Sequence, residues 1–274
     1  MNPIITRDGL TLHHRLWPHP APKSQVLIVH GLGEHGGRYA ALAERLVAAG
    51  HAVAAYDQRG HGQSPERRGC VPQADSLCDD LAQAIDAWPR QAPLVLLGHS
   101  MGGLVAARFV AENLVARPAA WARPPERVDR LVLSSPALDA GLGGGQKALL
   151  ALMSRLAPGV LLGNGLQPAW ISRDPAVVQA YRQDPLVHDR ICARLVRFIV
   201  DGGERVRTLA PFWRTPTLLM WAGADRCVAP AGSAAFAAAA PAAVLQQQVW
   251  PGLAHEIFNE PERDAVIDRL VQFL

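Results

Sequence analysis

The stretch Val95-Leu96-Leu97-Gly98-His99-Ser100-Met101-Gly102-Gly103-Leu104 constrains the fold more than any other part of the chain. An apolar run meets G-x-S-x-G and continues as Leu104-Val105-Ala106-Ala107-Arg108-Phe109-Val110, which predicts a buried strand, a sharp turn and a helix. In such a turn the residue between the glycines takes strained backbone geometry. A Cβ at Gly98 or Gly102 would collide as strand and helix close around Ser100. The turn pushes the Ser100 hydroxyl outward at the carboxyl end of the strand. It also sets the Met101 N–H at the positive end of the helix, where it can meet a developing oxyanion.

Further strands and helices follow the same alternation. Asp8-Gly9 between Ile4-Ile5-Thr6 and Leu10-Thr11-Leu12 predicts an antiparallel hairpin at the start of the chain. The apolar run Gln25 to Val29 is a strand, followed by the glycine-rich loop His30-Gly31-Leu32-Gly33-Glu34-His35-Gly36-Gly37 and a helix through Leu42, Leu46 and Val47. That loop lets backbone approach a ligand at Gly31, and Leu32 is the expected second oxyanion donor. Strand Ala52 to Tyr56 leads into Asp57-Gln58-Arg59-Gly60-His61-Gly62-Gln63-Ser64, where Asp57, Arg59 and His61 are expected to brace one another. Helix Leu77 to Trp88, the elbow strand, and a strand through Leu131, Val132 and Leu133 continue the series.

From Leu138 to Arg207 the pattern changes to helical pieces without a convincing buried strand. Alternation resumes at Thr217 to Trp221, passes an Ala-rich helix, reaches Leu245 to Trp250 and closes with a helix from Pro261 to Leu274. Repeated strand-helix units with short loops predict an α/β fold with a mostly parallel central sheet flanked by helices. The division expected is a core of residues 1–137 and 208–274, with 138–207 inserted as a helical cap.

A serine hydroxyl needs a base, and the base needs a carboxylate to hold its tautomer. In folds with this elbow the order along the chain is serine, acid, histidine. Only His188 and His255 follow Ser100, and His255, after the last strand, fits the order better. Asp225, after the next-to-last strand, is the leading acid and Asp139 the second. Asp174, Asp184, Asp189 and Asp201 suit helix caps, turns and surface charge.

Composition narrows the classes. The chain of 274 residues is 49% hydrophobic and 19% charged with a net charge of +3, which suits a globular domain and gives no footprint for nucleic acid. The only lysines are Lys23 and Lys147, neither in an apolar setting that would favour Schiff-base chemistry. Cys70, Cys78, Cys192 and Cys227 lack metal-finger spacing and are expected as free thiols. Residues Met1 to Asp8 show no secretory pattern, and no apolar run approaches the ~20 residues that span a bilayer. A cytoplasmic protein, peripheral to membranes at most, is expected.

His30-Gly31-Leu32-Gly33-Glu34-His35 with Arg38-Tyr39, Asp57 to Ser64, Gly98-His99-Ser100-Met101-Gly102-Gly103, Asp184-Pro185-Leu186-Val187, Gly223-Ala224-Asp225 and His255-Glu256 occur in this order over nearly the whole chain. As a set they resemble the monoacylglycerol lipase and lysophospholipase group of α/β-hydrolases. The resemblance implies an α/β-hydrolase fold and a Ser100, Asp225, His255 triad. It further implies oxyanion amides from Leu32 and Met101 and a cap over an acyl tunnel. The substrate expected is a small lipid ester, a monoacylglycerol first, with no cofactor and no metal. A general carboxylesterase or lysophospholipase is the alternative within enzymes, and an aminopeptidase would need an acidic or polar group for the substrate amine, such as Glu34 or a cap carboxylate. A silent ligand-binding relative is the non-enzymatic alternative. Gly31, Glu34, Leu149, Leu152, Met153, Leu161 and Leu162 are the candidate substrate contacts, and the apolar cap residues could also touch a lipid surface.

Overall fold

The computed structural model describes residues 1–115, 118–123 and 127–274. Its centre is a seven-stranded sheet. In chain order the strands are β3 (His14–Trp17), β4 (Gln25–Val29), β5 (Ala52–Tyr56), β6 (Leu94–His99), β7 (Arg130–Ser134), β10 (Thr217–Ala222) and β11 (Leu245–Trp250). Across the sheet they run β11-β10-β7-β6-β4-β5-β3, all neighbours parallel except the β3–β5 pair. The predicted hairpin is present as β1 (Ile4–Ile5) and β2 (Thr11–Leu12), with Ile4 opposite Leu12. It forms its own two-stranded sheet rather than an edge of the large one. The true edge is β3, which the sequence reading passed over: His14-Arg15-Leu16-Trp17 is too polar to read as a strand, yet an edge strand has only one neighbour to satisfy.

Alternation of side chains distributes the strands' apolar residues to two faces, because successive residues of a strand point opposite ways. Val26, Ile28, Val95, Leu97, Leu218 and Met220 face helices α1 (Ala40–Ala48) and α8 (Arg263–Phe273). Leu27, Val29, Leu96, Leu133 and Leu219 face α2 (Ser76–Ala87), α3 (Met101–Ala111) and α7 (Pro230–Ala239). Both faces are covered, so the inner strands are buried at every position and read as continuous apolar runs rather than alternating ones.

Between β7 and β10 lie α4 (Gly144–Leu156), β8 (Leu161–Gly163), α5 (Pro175–Gln183), β9 (Arg190–Cys192) and α6 (Ala193–Leu209). The segment is thus not wholly helical: β8 and β9 pair antiparallel, Leu161 opposite Cys192, as a small separate sheet. Ile191, inside the stretch expected to be helical, lies in β9. The expected boundary at residue 207 falls inside α6, whose Leu195, Phe198 and Val206 join the same apolar cluster as α3. By contrast α4 buries none of its residues, and Leu149, Leu152 and Leu156 are exposed. Among the described residues no helix is long and apolar enough to cross a membrane.

Candidate active site

The elbow is built as its glycines require. Ser100 has φ +54° and ψ −121°, a conformation that costs a non-glycine residue roughly 1–3 kcal/mol. Backbone packs on every side of it. A Cβ on Gly98 would lie 2.5 Å from the Gly102 carbonyl oxygen, and one on Gly102 would lie 2.0 Å from that of Val29. This contact brings the start of α3 against the end of β4, so the Met101 and Leu32 loops meet. Ser100 is pinned further where its N–H donates to Ser134 O at 3.0 Å. Among the described residues, neither the Leu32 nor the Met101 amide donates a hydrogen bond.

His255 and Asp225 meet from two loops at the carboxyl end of the sheet. His255 Nδ1 lies 2.6 Å from Asp225 Oδ2, and their side chains are 6% and 0% exposed. A carboxylate only accepts, so Nδ1 carries the proton and Nε2 keeps its lone pair. The other Asp225 oxygen accepts from the amides of Cys227 at 2.8 Å and Val228 at 3.1 Å, which fixes the carboxylate in its turn. The runner-up residues lie elsewhere: Asp139 closes a local turn onto Gly141 N, and the His188 ring packs on His61 with centroids 4.7 Å apart.

Sequence reasoning missed His99. Its ring packs on His255 with centroids 4.7 Å apart, and its Nδ1 bonds Ser134 Oγ at 3.1 Å. Full burial, with His255 beside it, holds His99 down at about 4, so it is neutral at neutral pH. The only signal was its place inside the elbow pentapeptide.

Also missed was a buried ionic network joining the two loops. Glu34 Oε1 accepts from the Gly31 amide at 2.6 Å and from the Tyr39 hydroxyl at 2.7 Å, while Oε2 takes Arg38 at 2.6 Å. Arg38 also grips both oxygens of Glu256, at 2.6 and 2.7 Å, and lies over the Tyr181 ring. Burial alone would push Glu34 up, but Arg38, His99 and His30 outweigh it and hold the carboxyl at about 2. Both Glu34 oxygens are therefore taken up in holding the loop that carries Leu32, and Glu34, expected as a substrate contact, does not line the cavity.

Asp57, Arg59 and His61 do not brace one another as a set. Asp57 takes Arg15 and the amides of Gly36 and Gln63, whereas Arg59 pairs with Asp8 and Asp80, because each side chain leaves the loop in a different direction. His61 alone contacts a member of the set, through Arg59 O at 2.9 Å. Asp174 caps α5 through Ala176 N, as expected, and Asp184 closes its turn onto Leu186 N. Asp184 also pairs with His35 at 2.8 Å and so ties the inserted segment to the core.

A cavity of ≈ 350 Å³ opens at Ser100. Leu32 and Met101 line it beside the serine, and Leu149, Leu150, Met153, Leu162, Val196 and Ile199 form its apolar wall. Of the expected contacts, Leu149, Met153 and Leu162 are there. Gly31 is one step back, where a Cβ would sit 3.2 Å from that of Ser100. Leu152 and Leu161 are not: Leu152 faces outward on α4, 53% exposed, and Leu161 packs on the core cluster because β8 turns it inward. Among the described residues no carboxylate lines the cavity. Cys227 does, and burial pushes its thiol up. Among the described residues the sole grouping of donors that could hold a metal ion is Asp225, Cys227 and His255.

Known proteins resemble this chain over most of its length. The family model described as serine aminopeptidase, S33, matches residues 20–262. A monoacylglycerol lipase of Mycolicibacterium smegmatis is 32% identical over 273 residues, covering 97% of this chain and 93% of that one. An abhydrolase domain-containing protein of Dictyostelium discoideum is 30% identical over 275 residues, and this chain spans 28% of its length. The crystal structure of a monoacylglycerol lipase from Paleococcus ferrophilus superposes with a TM-score of 0.84 at 33% identity, covering 96% of this chain and 99% of that one. The sheet, the elbow and these matches together place the chain in the serine aminopeptidase S33 family of α/β-hydrolases, in the group that contains the monoacylglycerol lipases.

Proposed function

We propose that this chain is a serine ester hydrolase that cleaves monoacylglycerols to fatty acid and glycerol through an acyl-enzyme. The observation that carries this reading is the apolar cavity opening at Ser100 with two undonated amides on its wall. Its volume falls in the usual range for small-ligand pockets, and its lining suits an acyl chain.

In this mechanism Ser100 Oγ attacks the ester carbonyl as His255 Nε2 takes its proton. Asp225, held by two amides, stabilises the imidazolium, and the Leu32 and Met101 amides receive the oxyanion. His255 then gives the proton to the departing alcohol and activates water to release the acid. Residues 138–207 act as the cap, since they supply most of the cavity wall. The outward leucines of α4, Leu152 and Leu156, give this cap an apolar face for a lipid surface. A peptidase role is disfavoured, because Glu34 is engaged and, among the described residues, no carboxylate lines the cavity to receive a substrate amine.

The test is fatty-acid release from a long-chain monoacylglycerol, the matching lysophospholipid and a short soluble ester, for wild type beside Ser100→Ala. The glyceride should be cleaved fastest, and the variant should lose roughly 10⁶ in turnover. Cleavage of the short ester alone would remove the lipid reading and keep the esterase.

A further inference from the structure

Cys227 has no part in the mechanism above, yet it stands two residues after Asp225 and faces the cavity beside Ser100. Its amide donates to Asp225 Oδ1 at 2.8 Å, so one turn holds both side chains. A Cys227 Sγ, an Asp225 oxygen and a His255 nitrogen all lie within 4.8 Å of one another. Thiolate, imidazole and carboxylate are the ligand types that zinc and cadmium take, and three protein ligands with a fourth position open to a cavity form a common zinc arrangement.

We infer that Asp225, Cys227 and His255 form an inhibitory site for a thiophilic divalent cation, zinc or cadmium, which binds by breaking the Asp225–His255 hydrogen bond. That binding is inhibitory rests on the catalytic reading above; the site itself does not. Two ligands at about 2.1 Å on a tetrahedral metal stand about 3.4 Å apart, so the present 2.6 Å contact must open as the ion enters. The ion displaces the Cys227 thiol proton to solvent. It takes the Nδ1 lone pair of His255, and the imidazole proton then resides on Nε2. Thiolate and carboxylate together neutralise the two charges of the cation, which suits a site whose Asp225 side chain is buried. With Nε2 protonated, His255 cannot accept the Ser100 proton, so the ion blocks the first step without touching the serine.

The experiment uses the full chain carrying Ser100→Ala, titrated with cadmium and read by the ultraviolet sulfur-to-cadmium charge-transfer band. The downfield proton resonance of the Asp225–His255 hydrogen bond is followed in parallel. The band should saturate at one cadmium per chain as the proton resonance disappears, and Ser100→Ala combined with Cys227→Ser should lose the band. In wild type, zinc should inhibit ester hydrolysis reversibly by chelator, and Cys227→Ser should weaken that inhibition by about tenfold or more. A band that survives Cys227→Ser, or a proton resonance unmoved by the cation, overturns the inference. A chain that binds cadmium in this way but hydrolyses no ester overturns the catalytic reading alone and leaves the site standing.

Discussion

Replacing Arg38 with methionine should destabilise the fold by about 3–5 kcal/mol at neutral pH, because it leaves two buried carboxylates without their shared cation. Arg38, Glu34 and Glu256 side chains are 10%, 5% and 6% exposed, so water cannot take over the lost role. A second route gives a similar size. Glu34 drops from 4.5 to about 2, and 2.5 pH units at about 1.36 kcal/mol each is roughly 3 kcal/mol, with Arg38 the largest of the lowering charges. The direction with pH is the sharper test. In wild type the folded value lies below the unfolded one, so the Glu34 contribution is present above pH 4.5 and is lost as pH falls toward 2. Without Arg38, burial acts with less opposition and pushes the carboxyl up, so the penalty grows as pH rises. The gap between wild type and variant should therefore be widest at neutral pH and narrow toward pH 5. Urea unfolding followed by circular dichroism at pH 5 and pH 8 measures it. A gap below about 1 kcal/mol, or one of equal size at both pH values, would show that the network is not the buried ionic clamp described.

Three further outcomes are expected. Gly102→Ala should cost about 3 kcal/mol or more and abolish activity, since its Cβ would meet the Val29 carbonyl at 2.0 Å; a thermal midpoint like that of wild type would contradict this. Met153→Trp should lower the ratio of kcat/KM for long over short acyl esters by roughly tenfold, as read from a chain-length series, because the larger side chain fills the wall of the cavity. His99 sits at about 4 when folded against 6.5 as the ordinary value, so the unfolded chain binds its proton first. Stability should fall as pH drops from 6.5 to 4, by roughly 3 kcal/mol from this group, and His99→Gln should flatten that slope in a pH series of urea melts.

The sheet was legible because five of its seven strands are short, mainly apolar runs, and β11, with its three glutamines, is bounded by the Ala-rich helix and Pro251. The edge strand His14–Trp17 escaped because its pattern is polar and only its pairing to β5 makes it a strand. The elbow was legible down to its glycines, since backbone contacts there leave no choice of residue. Glu34 and Arg38 were visible as a motif, but Glu256 is 218 residues from Arg38, and no local spacing says that they touch. His99 against His255 is a similar long-range contact. The cavity wall was half legible: α4 is amphipathic enough to predict a helix, but the split between Leu149, which lines the cavity, and Leu152, which faces out, depends on where the rest of the insertion sits.

Helix α6 does two jobs whose union matters. Val196 and Ile199 face the cavity, while Gly202 closes on Leu104 of α3, the helix that Ser100 begins, and Gly203 closes on the Leu138 carbonyl. On the proposed function, the wall that an acyl chain would press is thus also a strut against the helix that Ser100 begins. A chain too short to press on α6 and one long enough to fill the cavity should load that strut differently. Chain length would then register in the rate of the bond-breaking step as well as in the tightness of binding, and the enzyme would gauge its substrate mechanically at a distance from the ester.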